Sequence, residues 1–299
     1  MTASASPTPR QGAPGGGAPA IQWYPGHIAK AEKALTASLE KVDLVIEVRD
    51  ARIPLATAHP RLQRWIKAKQ HLLVVNRRDM VSEAARKDWD RWFRERDQTP
   101  WWCDARSGTG VSQLQQAAIR SGEALNARRL GRGMRPRPVR ALMLGFPNVG
   151  KSALINRLVR KKVVESARKA GVTRSLRWVR LGQDIDLLDA PGVLPPRLDD
   201  QQAALRLALC DDIGQAAYDT EAVALAFLRL LIQLEPEPAA GVAPGLLQGR
   251  YGVATSAAVE DWLSAAALRH TSGDTLRMAQ RLLDDFRRSL LGPISLELP

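Results

Sequence analysis

The sequence predicts an α/β protein, a doubly wound parallel sheet followed by a small all-α domain. Three observations carry this. Short apolar runs alternate with helically spaced stretches over the first two thirds of the chain, strand-like runs largely vanish after Asp200, and residues 145–152 form a glycine-rich junction between a strand and a helix. The runs Leu44–Val48, Leu72–Val75, Trp101–Cys103, Ala141–Leu144, Leu176–Leu181 and Ile185–Leu188 mostly have the length and flanks of buried strands. Helical spacing fills Ile28–Leu39, Leu62–Ala68, Glu83–Arg96, Val111–Leu125 and Ser152–Leu158 between them. Beyond Asp200 it fills Gln201–Leu209, Ala222–Leu234, Ala257–Leu268 and Thr275–Leu290, with a Pro/Gly-rich loop expected over Glu235–Gly249. Residues 1–20 are mostly Ala, Pro, Gly, Ser and Thr around Arg10 and read as a disordered tail. The expected division is therefore 1–20, 21–197 and 200–299.

The 299 residues suit about two domains. No apolar run approaches the roughly 18 residues of a membrane helix, so no membrane partner is expected. Cys103 and Cys210 are too few for a disulfide scaffold, which points to a reduced, cytoplasmic setting. The net charge is +13 and unevenly spread. Residues 200–299 hold 13 acids against 8 arginines and no lysine, so the first 199 carry about +18. Arginines crowd Ala127–Arg140, and Arg157–Arg180 holds nine Lys+Arg with Glu165 as its one acid. Such a stretch can be a plain solvated face, but a polyanionic partner, most simply RNA, is the sharper expectation.

Gly145-Phe146-Pro147-Asn148-Val149-Gly150-Lys151-Ser152 fits G-x-x-x-x-G-K-[ST] between an apolar run and a helix-compatible one. Glycines let backbone N–H groups at Asn148, Val149 and Gly150 curl around phosphate oxygens, and the helix start through Ala153 adds positive potential. Lys151 would reach the β- and γ-phosphates, and the Ser152 hydroxyl would ligate Mg²⁺. Asp189-Ala190-Pro191-Gly192 is an ordinary turn by itself. Beside a phosphate loop, Asp189 becomes a Mg²⁺ carboxylate and Gly192 a γ-phosphate amide donor. Thr173, between the two motifs in a basic segment, is a candidate for a second Mg²⁺ hydroxyl.

Asn76-Arg77-Arg78-Asp79 follows a strand-like run, and a carboxylate there accepts both N1–H and N2–H of guanine, which adenine cannot match. Asp104-Ala105-Arg106 follows the next run, where a backbone N–H can meet guanine O6. Either motif alone is compatible with a polar strand end.

In this order, base-reading motifs before phosphate loop before Mg²⁺ motif, the residues resemble a circularly permuted P-loop GTPase. Gln22–Ala31 (QWYPGHIAKA), Asp43–Pro54 (DLVIEVRDARIP) and Gly292–Glu297 (GPISLE) narrow the likeness to the YlqF/RbgA family of ribosome-assembly GTPases, over about residues 21–299. The chain departs from the family at Arg77, where Lys is usual, at Asp104, where Ser is usual, and in an acidic C-terminal region whose arginines gather at Arg277, Arg281, Arg287 and Arg288. An Arg77 stem can cover the base as a Lys stem does.

The resemblance implies hydrolysis of GTP to GDP and phosphate, a role in late assembly of the large (50S) ribosomal subunit or its precursor, and rRNA contact by the helical region. It implies K⁺ held with the help of Asn148. Val193 stands where many GTPases place a water-orienting Gln, and the resemblance points to His27 as the catalytic group instead, acting with Lys151. Alternatives remain: a permuted GTPase acting on small-subunit or organellar ribosomes, or a nucleotide-gated RNA-binding module with incidental hydrolysis. An ATP-dependent enzyme is disfavoured by Asn76 and Asp79.

Overall fold

The computed structural model describes residues 21, 35–66, 69–164, 177–192, 194, 199–256 and 258–299. His27, Thr173, Val193, the tail 1–20, the family-like segment 22–31 and the first part of the predicted helix 28–39 lie outside them. A helical stretch over 35–39 (α1) leads into β1 (Leu44–Asp50), followed by α2 (Leu62–Ile66), β2 (Gln70–Asn76), α3 (Glu83–Arg94), β3 (Pro100–Trp102), α4 (Val111–Leu130), β4 (Val139–Gly145) and α5 (Lys151–Val159). The hairpin of β5 (Arg177–Leu181) and β6 (Ile185–Asp189) completes the sheet. Then come α6 (Gln201–Leu209), α7 (Thr220–Leu234), α8 (Leu246–Tyr251), α9 (Val259–His270) and α10 (Thr275–Arg287).

The strands form one sheet in the order β3-β2-β1-β4-β6-β5. All neighbours run parallel except β5, which pairs antiparallel with β6. The parallel sheet expected from the sequence thus carries one antiparallel outer strand. Only Gly182–Asp184 separate the two strands, and a parallel return needs a far longer crossover. Chain order reverses between β1 and β4, and open α/β sheets bind ligands outside the strand ends at such a switch point. Register aligns those ends: Asp50 pairs with Asn76, Val48 with Gly145, and Met143 with Asp189. A Cβ on Gly145 would lie 2.4 Å from the Val48 carbonyl oxygen, so glycine is required where β4 turns outward against β1.

β1 is buried along its whole length, as a central strand covered on both faces must be. One face carries Leu44, Ile46 and Val48 into the main core with Leu114 of α4 and Leu154 and Ile155 of α5. The other holds two smaller clusters. Leu35, Leu39, Val45, Leu62 and Leu188 form one, and Leu73, Val75, Trp89 and Phe93 the other. Between them lie Glu47 and Arg49 of β1, buried as an ion pair at 2.6 Å, with His71 3.0 Å from Glu47. A buried charge persists only when paired in this way.

Three of the helices after residue 200, α6, α7 and α10, start where an aspartate side chain caps them. Asp200 accepts from the amides of Gln202 and Ala203, Asp219 from Ala222, and Asp274 from Arg277. α7 and α10 pack face to face, with the Phe227 and Phe286 rings 4.8 Å apart. Burying each such ring contributes about 1.5–3 kcal/mol. The expected loop 235–249 contains a 3₁₀ turn at Pro238–Ala240 and runs into α8. One apolar cluster extends from Leu44 through α7 and α10 to Leu296, so the helices share the core of the sheet.

The segment after α10 returns to β1 and α3. Leu296 N donates to the Arg52 carbonyl at 2.9 Å and Ser295 N to the Ala240 carbonyl at 2.9 Å. The Glu297 carboxylate accepts from the amides of Leu55 (2.7 Å) and Ala56 (3.1 Å), while Trp89 Nε1 donates to the Glu297 carbonyl at 3.2 Å.

Candidate functional site: a phosphate loop at the sheet switch point

The residues 145–150 leave β4 and enter α5 with Gly150 in the left-handed region (φ 98°). α5 begins at Lys151, so its first-turn amides, through Ala153, have no intrahelical acceptor and face outward as anion donors. Lys151 is buried, with Nζ donating to the carbonyls of Gly145 (3.0 Å) and Phe146 (2.6 Å). Burial pulls its pKa down to about 8 against the opposing pull of Asp189 and Asp212.

Asp189, at the end of β6, is 1 % exposed. Its Oδ2 accepts from Ser152 Oγ at 3.4 Å, while its buried Oδ1 has no partner. Burial raises its pKa despite the nearby Lys151 ammonium. An orphaned carboxylate oxygen beside a hydroxyl suits a hard divalent cation such as Mg²⁺, which takes one or two protein oxygens and completes its shell with phosphate and water. Among the described residues there is no cluster of His, Cys, Asp or Glu that would form an all-protein metal cage. Gly192 lies directly on the phosphate loop. A Cβ there would come 2.5 Å from both Cα and N of Pro147. The two motifs therefore meet, and only glycine allows it.

The segments 76–79 and 104–106, expected to read a base, are joined to the same loop. Asn76, 2 % exposed, donates through Nδ2 to the Val149 carbonyl at 2.9 Å and accepts at Oδ1 from Ala105 N at 3.1 Å. Gly150 makes this possible, since a Cβ there would lie 2.2 Å from Asn76 Nδ2. The Ala105 amide expected to meet guanine O6 is thus engaged with Asn76, and a base would have to share or exchange it. Asp104 accepts from the amides of Arg106 (2.7 Å) and Ser107 (2.9 Å) and so shapes the turn that presents Ala105. Arg78 N donates to the Cys103 carbonyl at 3.1 Å, tying the two motifs together. Asp79 is only partly sheltered from solvent, and that partial desolvation, with the repelling Asp104 carboxylate, raises its pKa.

Arg77 has left-handed backbone (φ 63°), and its guanidinium donates to Asp50 Oδ2 and to the Asn148 carbonyl, each at 2.5 Å. With the head anchored, the aliphatic stem is the part able to face a base. Asn148, itself left-handed (φ 57°), donates through Nδ2 to the Asp211 carbonyl at 2.6 Å.

Sequence reasoning missed the buried charges behind this loop. Asp50 pairs with Arg52 (2.8 Å) as well as with Arg77. Arg52 also donates to the Cys210 carbonyl (3.3 Å), and its guanidinium sits 5.3 Å from the Phe286 ring. Asp212 is fully buried, with neither carboxylate oxygen hydrogen-bonded and the nearest cation, Arg77, at 3.9 Å. Burial and the Asp50 charge push its pKa up to about 8. The available signals were a charged triplet, Asp50-Ala51-Arg52, ending a buried strand and an Asp-Asp pair closing an apolar helix.

A family model described as 50S ribosome-binding GTPase matches residues 140–228. Ribosome biogenesis GTPase A of Bacillus cereus is 37% identical over 217 residues, covering 73% of each chain. That of Bacillus licheniformis is 32% identical over 287 residues, covering 93% of this chain and 98% of the relative. The crystal structure of GNP-bound YlqF from T. maritima superposes with a TM-score of 0.60 at 23% identity, covering 90% of this chain and 98% of that one, a likeness of fold. Identity of this extent, over a sheet whose switch point brings residues 145–152, Asp189 and Asn76 together, makes the chain a GTPase of the ribosome biogenesis GTPase A family.

Proposed function

We propose that this GTPase hydrolyses GTP to GDP and phosphate in the cytoplasm and couples that step to late assembly of the large ribosomal subunit, contacting rRNA through its basic N-terminal region and residues 200–299. The observation that carries the reading is the direct hydrogen bond from phosphate-loop Asn148 to Asp211, just after α6. A nucleotide that moves the phosphate loop acts at once on the helices that follow.

Lys151 serves the β- and γ-phosphates, Ser152 and Asp189 hold Mg²⁺ together with Thr173, and Asn148 helps hold K⁺. The bound cation supplies positive charge to the phosphates. Gly192 approaches the γ-phosphate, and Asn76, Asp79 and the Ala105 amide read guanine. His27 orients the attacking water, a task that the apolar Val193 cannot perform.

Co-sedimentation with separated ribosomal subunits tests the reading. Retention on large-subunit particles with a non-hydrolysable GTP analogue, release with GDP, and loss of particle-stimulated turnover in His27→Ala with GTP binding intact are expected. Retention on small subunits alone, or on any RNA irrespective of nucleotide, overturns it.

A further inference from the structure

β5 is an outer strand of the sheet and carries Trp178 with 45 % of its surface exposed. Among the described residues it is the one aromatic side chain in the set of exposed large hydrophobics. Trp178 pairs with Leu188, Arg180 with Asp186, and Asp186 with Arg140 of β4. Side chains alternate along a strand, so Trp178, Arg180, Asp186 and Arg140 all project from the face that also carries Leu142 and Leu188. Together with Lys41, just before β1, they line a cleft of about 480 Å³. Three cations face one carboxylate there, and that carboxylate is only loosely held, at 3.9 Å from Arg180.

An exposed indole framed by cations is costly for a solitary surface and suited to one ligand chemistry. A base stacks on the ring while the cations meet the phosphates on either side, a combination typical of single-stranded nucleic acid sites. A duplex offers no free base face to the ring. The cleft also stands apart from the nucleotide site. Arg140 is the second residue of β4, which ends at Gly145, five residues or about 17 Å away at strand rise.

We propose that this β-sheet face binds single-stranded RNA, one unpaired base stacking on Trp178 and the flanking phosphates lying on Lys41, Arg140 and Arg180. The proposal rests on the ribosomal reading for the source of the RNA, and not for the chemistry of the face. It gives the sheet an RNA contact separate from the helices after residue 200.

The test uses the full chain, a labelled 12-nucleotide single-stranded RNA and a duplex of equal length, read by fluorescence anisotropy across a salt series. Trp178→Ala should weaken single-strand binding about tenfold or more, while Trp178→Phe retains most of it. Arg140→Ala/Arg180→Ala should lower the slope of log affinity against log salt by about 1.4, two single-strand phosphate contacts. Basal GTP hydrolysis and nucleotide affinity, measured on the same samples, should stay at the unmutated level. Single-strand binding unchanged in both the Trp178→Ala and the double-arginine variants overturns the proposal. So does equal preference for duplex, or displacement by polyglutamate and not by unlabelled RNA. Co-sedimentation separates this from the wider reading. An unmutated chain that ignores every ribosomal particle, yet binds RNA through Trp178, defeats the ribosomal reading and leaves the RNA face standing. Particle binding unaffected by Trp178→Ala, with no single-strand binding, does the reverse.

Discussion

Asn148 of the phosphate loop donates its Nδ2 hydrogen to the Asp211 carbonyl at 2.6 Å, across 63 residues of sequence. A carbonyl accepts only from the amide nitrogen, so this bond also fixes the direction of Asn148 Oδ1, the atom proposed to help hold K⁺. Turnover is expected to be faster in K⁺ than in Na⁺ at equal ionic strength. Asn148→Ala should erase that preference and, by losing the Asp211 contact, cost about 1 kcal/mol of stability in denaturant titration. Equal rates in the two salts for the unmutated protein would remove the cation role.

Guanine recognition should rest on Asp79. Asp79→Asn takes away the acceptor for N1–H and N2–H, and should weaken GTP by about 10²–10⁴-fold while favouring xanthosine nucleotides. Equilibrium binding of GTP, XTP and ATP checks this, and equal affinity of the unmutated protein for GTP and ATP contradicts it.

Lys151 and Ser152 are proposed to divide the polyphosphate between them. Lys151→Ala should abolish measurable turnover. Ser152→Ala should lose activity or its dependence on Mg²⁺, because Asp189 is then left without the neighbouring hydroxyl. Normal hydrolysis by both variants would show that phosphate binds elsewhere.

Asp212 gives a pH-dependent stability. Burial first, then the Asp50 charge and more weakly that of Asp211, raise its pKa to about 8 against the opposing pull of Arg77 and Arg52. An unfolded aspartate releases its proton near 4. Between about pH 4 and 8 the folded protein therefore keeps a proton that the unfolded chain loses. This carboxyl's contribution is complete below about pH 4 and is lost as pH rises through 8. Asp212→Asn keeps the shape and removes the titration. Its stability should fall less between pH 5 and 9, leaving it more stable at pH 9 by on the order of 1–3 kcal/mol. Parallel loss of melting temperature in both proteins over that range would count against it.

The sheet was legible because its strands are short apolar runs bounded by chemistry-bearing residues, and the phosphate loop because its glycines and Lys151 stand at one fixed spacing. Other features were hidden for identifiable reasons. α7 begins at Thr220, ahead of the apolar spacing, because Asp219 caps it from outside the periodic stretch. α8 spans six residues including Gly249, too short and too permissive for periodicity to register. The direction of β5 was readable in principle from its three-residue connection to β6. The pairing around Asp50 was not, since Arg52, Arg77 and Asp212 come together only when the region after α6 docks, and no local pattern announces a partner some 160 residues away. The same holds for Arg77, whose departure from the family Lys acquires meaning only once Asp50 and the Asn148 carbonyl are beside it.

The Glu297 carboxylate, held by the amides of Leu55 and Ala56, closes a sequence gap of 242 residues. Loop closure over such a distance costs only slightly more than over half of it, so the bond's strength is little affected. Its timing is affected far more, because contacts of such long range form late. During translation the turn after β1 emerges early and waits for residues 294–297 before its amides, the Arg52 carbonyl and the Trp89 indole find their partners. The nascent chain can thus assemble its sheet and phosphate loop while the strap that fastens them to the helices has yet to be made. A ribosome that stalls short of residue 294 leaves the amides of Leu55 and Ala56 without the Glu297 carboxylate and the Trp89 indole without its acceptor.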